Sequence, residues 1–243
     1  MNQMEIHKYS SPEQSIDALA ELLIEKFAAA IREEEECTVV LSGGNSPRKL
    51  YEKLASANFA GRVEWSKLYF FFGDERYVPD ESDEYNGKMA KECLFDPLGI
   101  DPSQVYYYNT GLPPEECARD YARKIKAHFG NRPIRFNIML LGLGDDAHTA
   151  SLFPHTSILK EEKALVSAVK VDKLNSWRIS LTAPLINEAE WIAFLVFGES
   201  KKNAMEEVIR GEKNPEEFPA QLIAPVEGEL HWFIDEAAGA KLN

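Results

Sequence analysis

Thr38-Val39-Val40-Leu41, Leu68 to Phe72, Phe136 to Leu141, Trp177 to Thr182, Trp191 to Phe197 and Leu230 to Ile234 are short apolar runs with little polar interruption. Between them lie stretches whose apolar residues recur every three or four positions. The first opens at Ser11-Pro12, where the missing proline N–H costs little. It carries Ile16, Leu19, Leu23, Phe27 and Ala30 on one face. Others begin at Ser46-Pro47, with Leu50, Tyr51 and Leu54, or run over Asn86 to Phe95, Pro114 to Phe129 and Ser200 to Arg210. A further strand is expected at Val105 to Tyr108. Strands that are apolar throughout, rather than alternating, are covered on both faces, and in such sheets helices supply the cover. The chain is therefore expected to be α/β, with a Rossmann-like, mostly parallel sheet flanked by helices on both faces. No repeat, low-complexity tract or linker divides its 243 residues, so a single domain over 1–243 is expected. Glu33 to Glu36 stand at the first helix's C-terminus, where the dipole disfavours carboxylates, and read as a solvated, frayed end.

Charge narrows the function. The 27 Lys and Arg against 40 Asp and Glu leave a net charge of −13, which repels nucleic acid and anionic membrane. An anionic small substrate is still allowed, because it needs only a few local cations. No apolar stretch approaches the roughly 18 residues of a spanning helix. The opening Met1 to His7 lacks a basic region followed by an apolar core, so no secretory signal is expected. Cys37, Cys93 and Cys117 are odd in number and widely spaced, which fits reduced thiols and a cytoplasmic location rather than a disulfide framework.

In open α/β sheets ligands bind beyond the carboxyl ends of the strands, and four segments there carry polar groups. Ser42-Gly43-Gly44, followed by Asn45-Ser46-Pro47-Arg48, can present backbone amides and a helix start to an anion, or can simply form a tight turn. Asp74-Glu75-Arg76 ends the most aromatic run, and its three charges are expected to leave the core together. They read as a surface ion cluster, or as Asp74 polarising a ligand with Arg76 supplying positive field. The third segment is the strongest: Gly142-Leu143-Gly144-Asp145-Asp146-Ala147-His148, then Thr149-Ala150-Ser151-Leu152-Phe153-Pro154. Of five histidines, His148 alone follows a strand with an acid two residues earlier. An imidazole is suited to general-base work, and a nearby carboxylate can hold its tautomer. Zinc on His148 and His155 would need further ligands, and none stands at a compelling spacing. Arg178 lies inside an otherwise apolar run and needs a partner, either a ligand phosphate or an internal carboxylate. Lys201 falls in the first turn of a helix, where the dipole disfavours a cation.

Taken in order, these segments resemble 6-phosphogluconolactonase of the bacterial type over nearly the whole length. The matching pieces are Ser42-Gly43-Gly44 with Pro47, Asp74-Glu75-Arg76 with Val78-Pro79, Asn86, the Asp146-x-His148 to Pro154 block, Leu181-Thr182 to Asn187, and Gly198-x-x-Lys201. The resemblance implies the fold of glucosamine-6-phosphate deaminase, ribose-5-phosphate isomerase A and the CoA transferases. It implies hydrolysis of 6-phospho-D-glucono-1,5-lactone without metal or organic cofactor, by a monomer or small homo-oligomer. His148 would act as base, Asp146 or Asp74 would hold it, and Arg76 would offset charge on the carbonyl oxygen. The Ser42-Gly43-Gly44 amides, Arg178 and Lys201 would hold the phosphate, with Arg48 as a helper. Three departures stand out. Ala147 replaces the family's usual glycine, at about 1 kcal/mol or more if φ is positive there. Asn45-Ser46 replaces Ser-Thr, and Tyr85 replaces a small serine. The rivals are an amino-sugar phosphate deaminase on the same fold and a non-catalytic sugar-phosphate sensor.

Overall fold

The structure is a computed structural model that describes residues 4–242. The described residues open with strand β1 (Met4–Tyr9), helix α1 (Pro12–Glu34), β2 (Cys37–Leu41), α2 (Asn45–Leu54) and the single-turn α3 (Ala57–Ala60). Next come β3 (Leu68–Phe72), β4 (Asp74–Arg76), α4 (Asn86–Ala90), α5 (Asp96–Leu98), α6 (Pro114–Phe129) and β5 (Ile138–Gly142). The remainder is β6 (Val166–Val171), β7 (Ser176–Leu181), α7 (Ala183–Ile186), β8 (Trp191–Val196), α8 (Lys202–Arg210) and β9 (Glu229–Asp235).

Six strands form one parallel sheet in the order β1-β9-β8-β5-β2-β3. The inner strands are buried at every position of β2 and β8, as continuous apolar runs require. Trp191, Trp232, Phe70, Phe71 and Phe194 are among the largest fully buried side chains. The order sets where a ligand can sit. From β2 the chain moves outward to β3, then returns to β5 on the other side of β2, so the winding reverses between β2 and β5. The loops leaving those two strands diverge and open a crevice at that switch point.

Three expectations about elements need correction. Trp177 to Thr182 does form a strand, β7, but it joins no parallel sheet. It pairs antiparallel with β4 and β6 in a separate three-stranded sheet, with its first three residues half-buried. Gly73 couples the two sheets: its N–H donates to Leu41 O (2.9 Å) and its carbonyl accepts from Leu181 N (2.8 Å). Val105 to Tyr108 contributes a single bridge, Val105 to Phe70, rather than a strand. The acidic end of α1 is also not simply solvated, since Glu34 accepts from Asn137 Nδ2 (3.1 Å) and Glu36 pairs with Arg132 (2.7 Å). The three cysteines are free, and all three are buried. No helix among the described residues is long and apolar enough to cross a membrane.

Candidate active site

The crevice at the switch point is an open cleft of about 510 Å³. It is lined by the residues at the ends of β2 and β5, Ser42-Gly43 and Gly142-Leu143-Gly144, together with His148, Arg76 and Arg178.

The loop after β5 is built to present His148. Gly144 N–H donates to His148 O (2.8 Å), and Ala147 N–H donates back to Gly144 O (3.1 Å). A side chain at residue 144 would meet His148 Nδ1 at 2.0 Å and Asp146 Oδ1 at 2.7 Å, so glycine is required there. Ala147, Ala150 and His155 all have positive φ, three of the five non-glycine residues that do so in the described chain. Such strain persists where surroundings over-determine it and clusters at functional sites. At Ala147, with φ 60°, the cost anticipated from the sequence is real. Complete burial of its methyl group returns a comparable amount, about 0.8 kcal/mol.

His148 Nδ1 lies 2.5 Å from Asp146 Oδ1, and its ring stacks on Phe153 at 4.0 Å between centroids and 20° between planes. The carboxylate thus accepts a hydrogen bond from Nδ1–H, which leaves Nε2 without a protein partner among the described residues. Burial opposes ionisation of Asp146, but the hydrogen bonds from His148 and Lys173 outweigh it and hold the carboxyl well below its usual range. Asp74 does not share this task. It is buried and accepts from Ser151 Oγ (2.6 Å), while Asn86 Nδ2 donates to its carbonyl (3.0 Å). Of the two acids left open by the sequence, Asp146 holds the imidazole.

Period-two alternation sorts the Asp74-Glu75-Arg76 cluster. Asp74 and Arg76 share a face toward the cleft, and Glu75 takes the opposite one. Glu75 is therefore fully buried, and with Asp74 buried as well only Arg76 of the three is half-exposed, so the cluster does not leave the core together as expected. It accepts from the backbone N–H groups of Arg76 (2.9 Å), Asn86 (2.7 Å) and Gly87 (3.0 Å), tying β4 to the start of α4. Burial pushes its carboxyl up to about 8, against the pull of those three bonds.

Arg76 and Arg178 are register partners across β4 and β7. Arg76 Nη1 donates to Glu84 O (2.9 Å) and Arg178 Nη1 to Ser176 Oγ (2.8 Å); no carboxylate among the described residues forms an ion pair with either. Burial, then the facing Arg76, lowers the Arg178 pKa. Like charges directly opposite destabilise a sheet, so this pair is suited to an anion from outside. Lys201 also lines the cleft but already has an internal partner, Asp145 Oδ1 at 2.5 Å. Its turn is fixed by Asp235, which accepts from Gly198 N–H (3.1 Å) at the end of β9.

Gly44 adopts φ 103° at the start of α2, and no side chain caps that helix. Gly43 is needed for a different reason: a Cβ there would lie 1.9 Å from Asn86 Oδ1. Arg48, one helical turn into α2, is half-buried near Asp83 and Cys93 and is not among the residues that line the cleft. Lys173 is the residue that sequence reasoning missed. It reaches from the β6–β7 turn to Asp146 Oδ2 and lines the cleft.

His155 is exposed and pairs with Glu217 (3.1 Å). Among the described residues, Glu5, His7 and His231 bring three donor atoms within 4.8 Å of one another, far from the cleft at the opposite end of the sheet. There His7 Nε2 and His231 Nδ1 are 3.0 Å apart with ring centroids at 5.3 Å and planes at 13°.

The chain is 39% identical over 223 residues to the 6-phosphogluconolactonase of Synechocystis sp., covering 90% of each chain. It is 35% identical to that of Bos taurus, covering 98% of this chain and 93% of the other. The solved 6-phosphogluconolactonase of Thermotoga maritima superimposes with a TM-score of 0.83 at 30% identity, over 96% of this chain and 100% of that one. The enzyme of Trypanosoma cruzi gives 0.89 at 26%, over 100% and 98%. Residues 10–232 match the family described as glucosamine-6-phosphate isomerases/6-phosphogluconolactonase, and the chain belongs to that family.

Proposed function

We propose that the protein hydrolyses 6-phospho-D-glucono-1,5-lactone to 6-phosphogluconate in the oxidative pentose phosphate pathway, with His148 as general base. One observation carries the reading: an Asp146-held imidazole shares a cleft with two guanidiniums, and among the described residues neither its Nε2 nor the guanidiniums have a carboxylate partner. Nε2 takes a proton from water as the water oxygen attacks the lactone carbonyl carbon. When the tetrahedral intermediate collapses, the bond from that carbon to the ring oxygen breaks. His148 returns its proton to the ring oxygen, and the new carboxylic acid ionises.

Arg76 and Arg178 are held side by side by the β4–β7 register, so they serve the same end of the substrate. We assign both to the phosphate, with Lys201 beside them, which moves Arg76 from the carbonyl oxygen to the dianion. Guanidinium pairs match phosphate geometry and charge. The charge developing on the carbonyl oxygen then falls to the Ser42-Gly43-Gly44 turn and the uncapped start of α2.

The test is to generate the lactone with glucose-6-phosphate dehydrogenase and follow its loss in the presence of this protein. Loss well above the spontaneous rate is expected. A rate equal to the background, or ammonia released from glucosamine 6-phosphate, would overturn the reading in favour of the family's other chemistry.

A further inference from the structure

The carboxylate that holds the imidazole is itself held. Asp146 Oδ1 accepts from His148 Nδ1 and from the His148 backbone N–H (3.3 Å), and Oδ2 accepts from Lys173 Nζ. The same ammonium lies 5.4 Å over the Phe153 ring, whose plane stacks on His148. Lys173 therefore touches both groups that fix the imidazole, its hydrogen-bond partner and its stacking partner. It stands in the tight turn where the β6–β7 ladder ends at Val171–Ser176, and Asn175 closes that turn with φ 45°. The strand leaving the turn carries Arg178.

We propose that Lys173 is a positioning residue, which clamps the second oxygen of Asp146 and so sets both the orientation and the proton affinity of His148. Only the catalytic consequence rests on the lactonase reading; the coupling of the three side chains does not. Without Lys173, Oδ2 has no partner among the described residues, and the carboxylate can rotate and let the ring tilt off its stack. The electrostatic effect has a definite sign. A cation on the far side of the carboxylate weakens the negative field at the ring and favours neutral imidazole. The other charged groups in the cleft are Asp74 and Arg76 from β4, Asp145 beside Asp146, Arg178 from β7 and Lys201 before α8. Replacing Lys173 leaves all of them in place, so their fields cancel in the comparison. An ordinary surface ion pair, by contrast, would be worth little and would leave the ring unchanged.

The test is an NMR titration of the His148 ring nitrogens in the full chain, for wild type, Lys173→Met and Lys173→Arg. Lys173→Met is expected to raise the proton affinity of His148 about three- to fivefold, and Lys173→Arg to leave it within about twofold of wild type. In the lactonase assay, Lys173→Met should then lose more kcat/KM at pH 6 than at pH 8. A His148 midpoint in Lys173→Met that coincides with wild type overturns the proposal. A shifted midpoint in a protein whose wild type does not accelerate lactone hydrolysis upholds the coupling and overturns the lactonase reading instead.

Discussion

His148 is fixed by Asp146 at Nδ1 and by Phe153 on its face, so removing its side chain removes proton transfer and little else. His148→Ala is expected to lower kcat by about 10² to 10⁴ with KM within about threefold of wild type. Steady-state rates corrected for spontaneous hydrolysis check this, and a near-normal kcat would exclude the imidazole as base. Arg178→Ala removes a contact made alike in ground and transition states, so KM should rise by about ten- to a hundredfold with kcat nearly kept. A fall in kcat at unchanged KM would place Arg178 at the reacting carbon instead. His148 and Asp146 were legible in the sequence because an acid two residues before a histidine, just past an apolar strand, is a local pattern. The pairing of Arg178 with Arg76 was not, because it depends on the register between strands about a hundred residues apart. Lys173 carried no signal at all: Lys170-Val171-Asp172-Lys173-Leu174-Asn175 reads as any polar turn. Arg48 was singled out by residue type and proximity to a glycine turn, which do not say which face of α2 a side chain takes.

Elements whose faces are both buried announce themselves, and elements at the margins do not. β2, β3, β5, β8 and β9 were visible as apolar runs. β1 and β6 were missed because their residues alternate or mix, as edge strands with one open face do. β4 is three charged residues that pair only because β7 lies beside them. At the end of α1, Glu35 closes the helix in the left-handed region (φ 65°), donating its N–H to Ile31 O. Glycine holds that position without the steric cost of a Cβ, and its introduction also removes one carboxylate from the unfavourable end of the dipole. Glu35→Gly is expected to stabilise the protein by about 1 kcal/mol, raising Tm by about 2–4 °C in a scanning calorimeter; an unchanged or lower Tm would refute it. Glu75, which joins β4 to α4, predicts a pH dependence. Its carboxyl is raised to about 8 by burial, above its value of about 4.3 in an unfolded chain. The folded state therefore binds more protons between those values, and the contribution is complete below the unfolded value and lost as pH rises through about 8. Urea midpoints should fall from pH 5 to pH 8, and Glu75→Gln should flatten that slope. An equal slope in both proteins would mean that the buried carboxylate ionises without cost.

The whole molecule divides its labour between two sheets and sets a local charge against a global one. The parallel sheet supplies the switch-point crevice and, from the loop after β5, the imidazole and its carboxylate. The antiparallel sheet, with the turn it carries, brings Arg76, Arg178 and Lys173 to the same opening. Around this cationic wall the chain carries a net charge of −13, so a phosphorylated substrate is repelled at long range and attracted at contact. Salt separates the two effects, because screening acts over about 30 Å at 0.01 M and about 3 Å at 1 M. Raising ionic strength from about 0.01 to 0.15 M mutes the distant surplus while the guanidinium pair still acts at contact, so kcat/KM should rise. Toward 1 M the contact attraction is screened as well, and kcat/KM should fall through an increase in KM. The maximum between these limits tests the charge arrangement as a whole. A steady decline from the lowest salt would mean that the cleft's cations govern approach at every range, and that the acidic surface plays no part in how the substrate arrives.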